Sequence, residues 1–183
     1  ISTLWTDKVE GLTVDVQSTG ASAENLNLIN KGEAEVALVQ NDVMYYAYTA
    51  TESFAGVDKN ESFLTLGTVY PEVVQLVVAG DAGIETLADL KGKAVSIGDV
   101  GSGVESNAKQ ILAAAGIGLD EITVRNLGFG ESANGIKDKT LDAAFVTAGT
   151  PTTAVTELAA TNDIKVLSLD QAVIDQLCAD YGY

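Results

Sequence analysis

Four short turns carry the densest polar chemistry of this 183-residue chain: Gln17 to Ser22, Gln40 to Asp42, Gly98 to Gly103, and Thr147 to Thr150. Glycine and small hydroxyl or amide side chains dominate them, and none contains Lys, Arg, His or Cys. Such groups donate and accept hydrogen bonds but are poor at making or breaking covalent ones. The inventory suits the holding of a small polar ligand better than its conversion.

The sharpest local signal is Gly101-Ser102-Gly103-Val104-Glu105. Ser102 with Glu105 three residues on matches a capping box, which fixes a helix start. Backbone N–H groups there, with the helix dipole behind them, make a place for a carboxylate or phosphate. Gly101 and Gly103 let ligand atoms approach the backbone. Plain helix capping explains the same residues without a ligand, and both readings stand at this point. Thr147, Gly149 and Thr150 repeat the theme: Thr150 as cap and Pro151 as first helical residue predict another helix start, with Gly149 leaving room beside it. Ser18, Thr19 and Ser22 either cap the next helix or face the ligand. Gln40 and Asn41 follow an apolar run, where an amide can both donate and accept. Tyr70 stands beside Pro71 and either touches a ligand or packs. Arg125, the only arginine, lies mid-strand, which favours a surface or structural role over a carboxylate clamp. Tyr45, Tyr46 and Tyr48 read as core.

Enzyme signatures are missing. The chain has no histidine and a single cysteine, Cys178, so a Ser-His-Asp triad, the common zinc sites and an internal disulfide are excluded. There is no GxSxG elbow, Walker lysine, CxxC or EF-hand loop, and Gly98 to Gly103 is not a dinucleotide fingerprint. No cofactor, metal or catalytic residue is expected. Ten Lys plus Arg against 26 Asp plus Glu give a formal charge of −16, which repels nucleic acid and anionic membranes.

The elements that must position these turns alternate. Strands are predicted over 12–17, 36–39, 64–70, 73–78, 94–97, 122–127, 143–146 and 164–169, with helices between. The best amphipathic helix carries Val104, Ala108, Ile111, Leu112 and Ala115 on one stripe. This order argues for parallel sheets covered by helices on both faces, with ligands expected outside the carboxyl ends of the strands. A boundary is predicted near residues 70–80. Ile1, Leu4 and Trp5 stand at helical spacing with no cap before them, so the chain is expected to open inside a helix. No run reaches the roughly 18 apolar residues of a membrane helix.

Several segments together resemble TAXI-type receptors of TRAP transporters: Val14 to Leu26, Ala37 to Ala47, Leu87 to Lys93, Val95 to Gly103, Phe129 to Ser132, and Leu141 to Pro151. They run in order over nearly the whole chain. The resemblance implies an α/β, type II periplasmic-binding-protein-like fold, with two three-layer lobes and mainly parallel sheets. It implies a partial first lobe over residues 1–75, without the family's opening strand and closing return, and a second lobe over 76–183. It further implies an extracytoplasmic receptor that binds a small organic acid or amino acid (glutamate- or glutamine-like), anionic or zwitterionic, between the lobes and delivers it to a TRAP membrane permease. The other readings are an ABC-type binding protein, a sensor domain of the same fold and, least supported, an enzyme.

Overall fold

The computed structural model describes residues 2–181. The strand pattern is met by the runs from Val73 onward, three of which are buried on both faces. Val73–Ala79 (β1) is nearly all apolar because helices cover it on both sides. Ala94–Ser96 (β2), Thr123–Arg125 (β3), Ala143–Ala148 (β4) and Ile164–Leu167 (β5) join it in one five-stranded sheet of order β3-β2-β4-β1-β5. β2 runs parallel to both β3 and β4, whereas β1 runs antiparallel to β4 and β5. Four strands thus point one way, with β1 reversed among them. The sheet is mixed, and the reason is topological: β1 enters between strands that come much later in the chain.

Side chains alternate across this sheet. Leu76, Val78, Val95 and Phe145 face Gly103–Ala114 (α4) and Gln171–Tyr181 (α7), where Ile111, Leu112 and Leu177 meet them. Val77, Ala79, Ala144 and Val146 face the other way, toward Ile136 of Phe129–Lys137 (α5) and Leu158 of Thr153–Thr161 (α6). The result is three layers.

The part before β1 is built differently. It holds helices at Ser2–Lys8 (α1), Ser22–Lys31 (α2) and Asn41–Thr49 (α3). Gly32 ends α2 in the left-handed conformation that glycine adopts at least cost. A small cluster of Leu26, Val43, Tyr46, Ala47 and Phe54 holds α2 and α3 together. The strands expected over 12–17, 36–39 and 64–70 are not formed, and no described residue before Val73 is in a strand. Those segments alternate or, at 36–39, run apolar throughout, but no neighbouring strand takes their N–H and C=O groups. Their apolar side chains therefore meet water, with Leu64 at 92% and Leu66 at 82% exposure. The tyrosine cluster also divides: Tyr46 is buried in the small core, while Tyr45 and Tyr48 are exposed because they project from the outer face of α3.

Candidate functional site

Asn107 stands one turn beyond Gly103 on α4 and is 1% exposed. Its Oδ1 accepts from Gln40 Nε2 at 2.8 Å and from Thr147 Oγ1 at 3.0 Å. Its Nδ2 donates to Asp42 Oδ2 at 2.8 Å. Gln40 Nε2 also donates to the same Asp42 oxygen at 3.0 Å. One buried amide thus ties the turn before α3 to the end of β4. Two further bonds hold the arrangement. The Gln40 N–H donates to Ser22 Oγ at 3.1 Å, and the Ala23 N–H donates to the Gly101 carbonyl at 3.2 Å. A turn further along α4, Gln110 Nε2 donates to the Tyr46 hydroxyl at 2.8 Å.

Gly103 is the floor of this junction. A Cβ there would lie 2.0 Å from Gln40 Oε1 and 2.2 Å from its Cδ, so the amide rests directly on the glycine. Tyr70, 60% exposed, covers Gly149, with a ring carbon 3.7 Å from where a Cβ would be.

The turns beginning at Gln40, Gly98 and Thr147 therefore converge, and the turn at 17–22 reaches them through Ser22. Gln40, Gly101, Ser102, Gly103 and Thr147 lie at the junction, with Gly149 and Tyr70 beside each other. Thr19 turns inward to its own helix, donating to Asn25 Oδ1 at 2.6 Å. Ser18, Asn41 and Thr150 are exposed. Ser22 is the first residue of α2 and does not cap it, because its hydroxyl is engaged by Gln40.

Of the two expected helix starts, the one at Ser102 holds and the one at Thr150 needs correction. Ser102 does cap α4, accepting from the Glu105 N–H at 3.0 Å, but the Glu105 carboxylate takes the Gly101 N–H at 2.7 Å. Part of the amide cradle expected to greet an anion is thus filled by the helix's own carboxylate. Thr150 does not cap a helix and Pro151 does not open one. α6 starts at Thr153, and the Thr152 hydroxyl folds back onto the Gly149 carbonyl at 2.9 Å. Arg125 is exposed and donates to the Val124 carbonyl at 3.0 Å, the surface role its strand position predicts. Ser102→Ala is expected to cost about 1 kcal/mol of stability, the usual loss on removing an N-cap, read as a lowered urea midpoint.

Asn107 and Gln110 escape sequence reasoning, while Asp42 is found only as part of its turn and Tyr46 only as core. The available signal was the placing of Asn107 and Gln110 beside the apolar stripe of α4, where a polar side chain is buried and must find partners. No described group of three His, Cys, Asp or Glu side chains could hold a metal ion.

Charge at the junction is one-sided. Crowding of the Glu72 carboxyl by the chain around it, and then the nearby Asp42 charge, hold Glu72 above the ordinary glutamate value of 4.5. Burial, chiefly, raises the Tyr46 hydroxyl above its ordinary value of 10.0, against the Gln110 hydrogen bond that lowers it. For Glu72 the linkage is direct. The folded protein keeps the proton longer than the unfolded chain, so its contribution is complete below pH 4.5 and is lost as pH rises through the folded value. Glu72→Gln is therefore expected to stabilise the protein near neutral pH and to converge with the parent in acid. Urea midpoints across that range check this.

A family model described as NMT1-like matches residues 1–183. The chain belongs to the NMT1-like family. Solved structures similar to this NMT1-like chain are type II periplasmic binding proteins, which fixes the fold. The periplasmic aliphatic sulphonate-binding protein of Escherichia coli is 20% identical, with a TM-score of 0.57 over 91% of this chain and 53% of that one. An ancestral arginine-binding protein bound to arginine is 20% identical, with a TM-score of 0.60 over 89% and 64%. The binding component of a phosphonate ABC transporter from Pseudomonas aeruginosa is 13% identical, with a TM-score of 0.63 over 98% and 68%. The NMT1-like chain thus spans about half the length of the sulphonate-binding protein.

Proposed function

We propose that this chain is the solute-holding part of an extracytoplasmic receptor, binding a small organic acid or amino acid without turnover. The observation that carries the reading is the junction at Asn107, where Gln40 and Asp42 from before β1 meet Gly103 and Thr147 from after it. Residues 1–75 and 76–183 act as the two sides of a cleft, and the chain crossing between Tyr70 and Val78 acts as its hinge. Gln40, Gly101, Ser102, Gly103 and Thr147 line the cleft, with Tyr70 and Gly149 at its mouth. Ser18, Thr19, Asn41 and Thr150 join it only if the solute extends over the exposed rim.

The receptor hands its solute to a membrane permease. Fold similarity to the binding component of a phosphonate ABC transporter favours an ABC permease. The segment resemblance to TAXI-type receptors supports a TRAP permease as the second reading. Uptake into vesicles carrying the candidate permease separates them, because one requires ATP and the other an ion gradient.

Thermal shift with a panel of amino acids, amines and organic acids tests the receptor reading. A binder at about 100 times its Kd adds about 2.7 kcal/mol to stability. Gly103→Phe, which pushes into the Gln40 position, should abolish the shift. No shift across the panel, with no small molecule released from the native protein, would refute the reading.

A further inference from the structure

The Gln40 side chain shows what chemistry its place accepts. Its amide nitrogen gives one hydrogen to Asp42 Oδ2 and one to Asn107 Oδ1, at 3.0 and 2.8 Å. Both acceptors are held from behind. Asn107 Oδ1 also accepts from Thr147 Oγ1, Asn107 Nδ2 binds the Asp42 carboxylate, and Asp42 Oδ1 accepts from the Val43 N–H at 2.8 Å. Neither oxygen can turn into a donor. A group lying on Gly103 must therefore bring a nitrogen with at least two hydrogens. A carboxylate there would set oxygen against a carboxylate and an amide oxygen. Ser22, Gln40, Asp42, Asn107 and Thr147 meet here, and none is basic. At the neighbouring start of α4, Glu105 and Ser102 already engage the Gly101 and Glu105 N–H groups.

We infer that the Gln40 amide is a removable plug standing where a solute's amine, amidine or guanidine group sits, with Asp42 and Asn107 as the specificity-determining acceptors. This rests on the receptor reading above and narrows its substrate class to solutes bearing a nitrogen donor. Within that class a cation binds better than a neutral amide, because its hydrogen bonds to the Asp42 carboxylate are charge-assisted.

Acetamidinium and acetate test this, being planar ions of one shape with opposite charge and opposite hydrogen-bonding sense. In the full chain carrying Gln40→Ala, calorimetry should find acetamidinium binding at least about tenfold more tightly than acetate, as expected for hydrogen bonds to a charged group. Adding Asp42→Asn should remove that preference. Equal or tighter acetate binding, binding of neither ion, or acetamidinium binding that survives Asp42→Asn would overturn the inference. A second arm needs no variant. Amino acids and the corresponding 2-oxo acids are titrated into the unaltered chain, and loss of the amine should weaken binding at least about tenfold. A 2-oxo acid that binds as tightly overturns this inference while leaving the receptor standing. Silence from every compound overturns the receptor reading itself.

Discussion

Asn107→Leu is expected to lower the free energy of unfolding by about 2–4 kcal/mol, as several buried groups lose one partner together. Leucine has a similar volume but no polar atoms. The Asp42 carboxylate, the Thr147 hydroxyl and the Gln40 amide would each lose a bond made inside the protein. Asp42 would retain the Gln40 amide and the Val43 N–H, which keeps the loss below that of a stranded buried charge. The variant should also act selectively. Amide hydrogens of α3 should exchange faster than in the parent, while those of β1 and β4 keep their relative order of protection. Uniform acceleration of all three would mean that Asn107 is an ordinary core residue rather than the tie between the two parts.

Phe145→Ala is expected to cost about 3–5 kcal/mol, the range for removing a buried aromatic ring. Phe145 is 1% exposed, pairs with Leu76 across β4 and β1, and packs under α4. Its loss leaves a cavity in the centre of the sheet but removes no polar contact of the junction. Solute-induced thermal shifts should therefore persist in Phe145→Ala, measured from a lower starting temperature. Asn107→Leu should lose them. Together the pair separates damage to the scaffold from damage to the site, which neither variant does alone.

β1, β2 and β4 were legible because their burial is two-sided, and the edge strands β3 and β5 through their β-branched runs. A run such as Val73 to Val78 has few other places to go in an α/β chain. The runs at 12–17, 36–39 and 64–70 look equally strand-like, yet an apolar pattern only says that a face seeks cover. It does not say that a neighbouring strand is there to complete the hydrogen bonding. The site divides in the same way. The Ser102 cap was readable because donor and acceptor lie three residues apart. Gly103 was readable as a close approach, although what approaches it was not. The Asn107 contact with Gln40 spans 67 positions, and no local pattern encodes it. The capping box says that Glu105 folds back over the start of α4, but not that the N–H it takes is that of Gly101.

The reversed strand β1 has a consequence for how the chain is made. β1 emerges from the ribosome early, yet its two neighbours begin only at Ala143 and Ile164. At synthesis rates of about 5–20 residues per second, Val73 to Ala79 must wait some seconds as a bare, strongly apolar ribbon. Nothing nearby in sequence can shelter it as a hairpin partner would. Long-range pairing of this kind slows folding and lengthens exposure to aggregation. The segment that joins the two parts of the protein is thus also the one most in need of a chaperone while the rest is being translated.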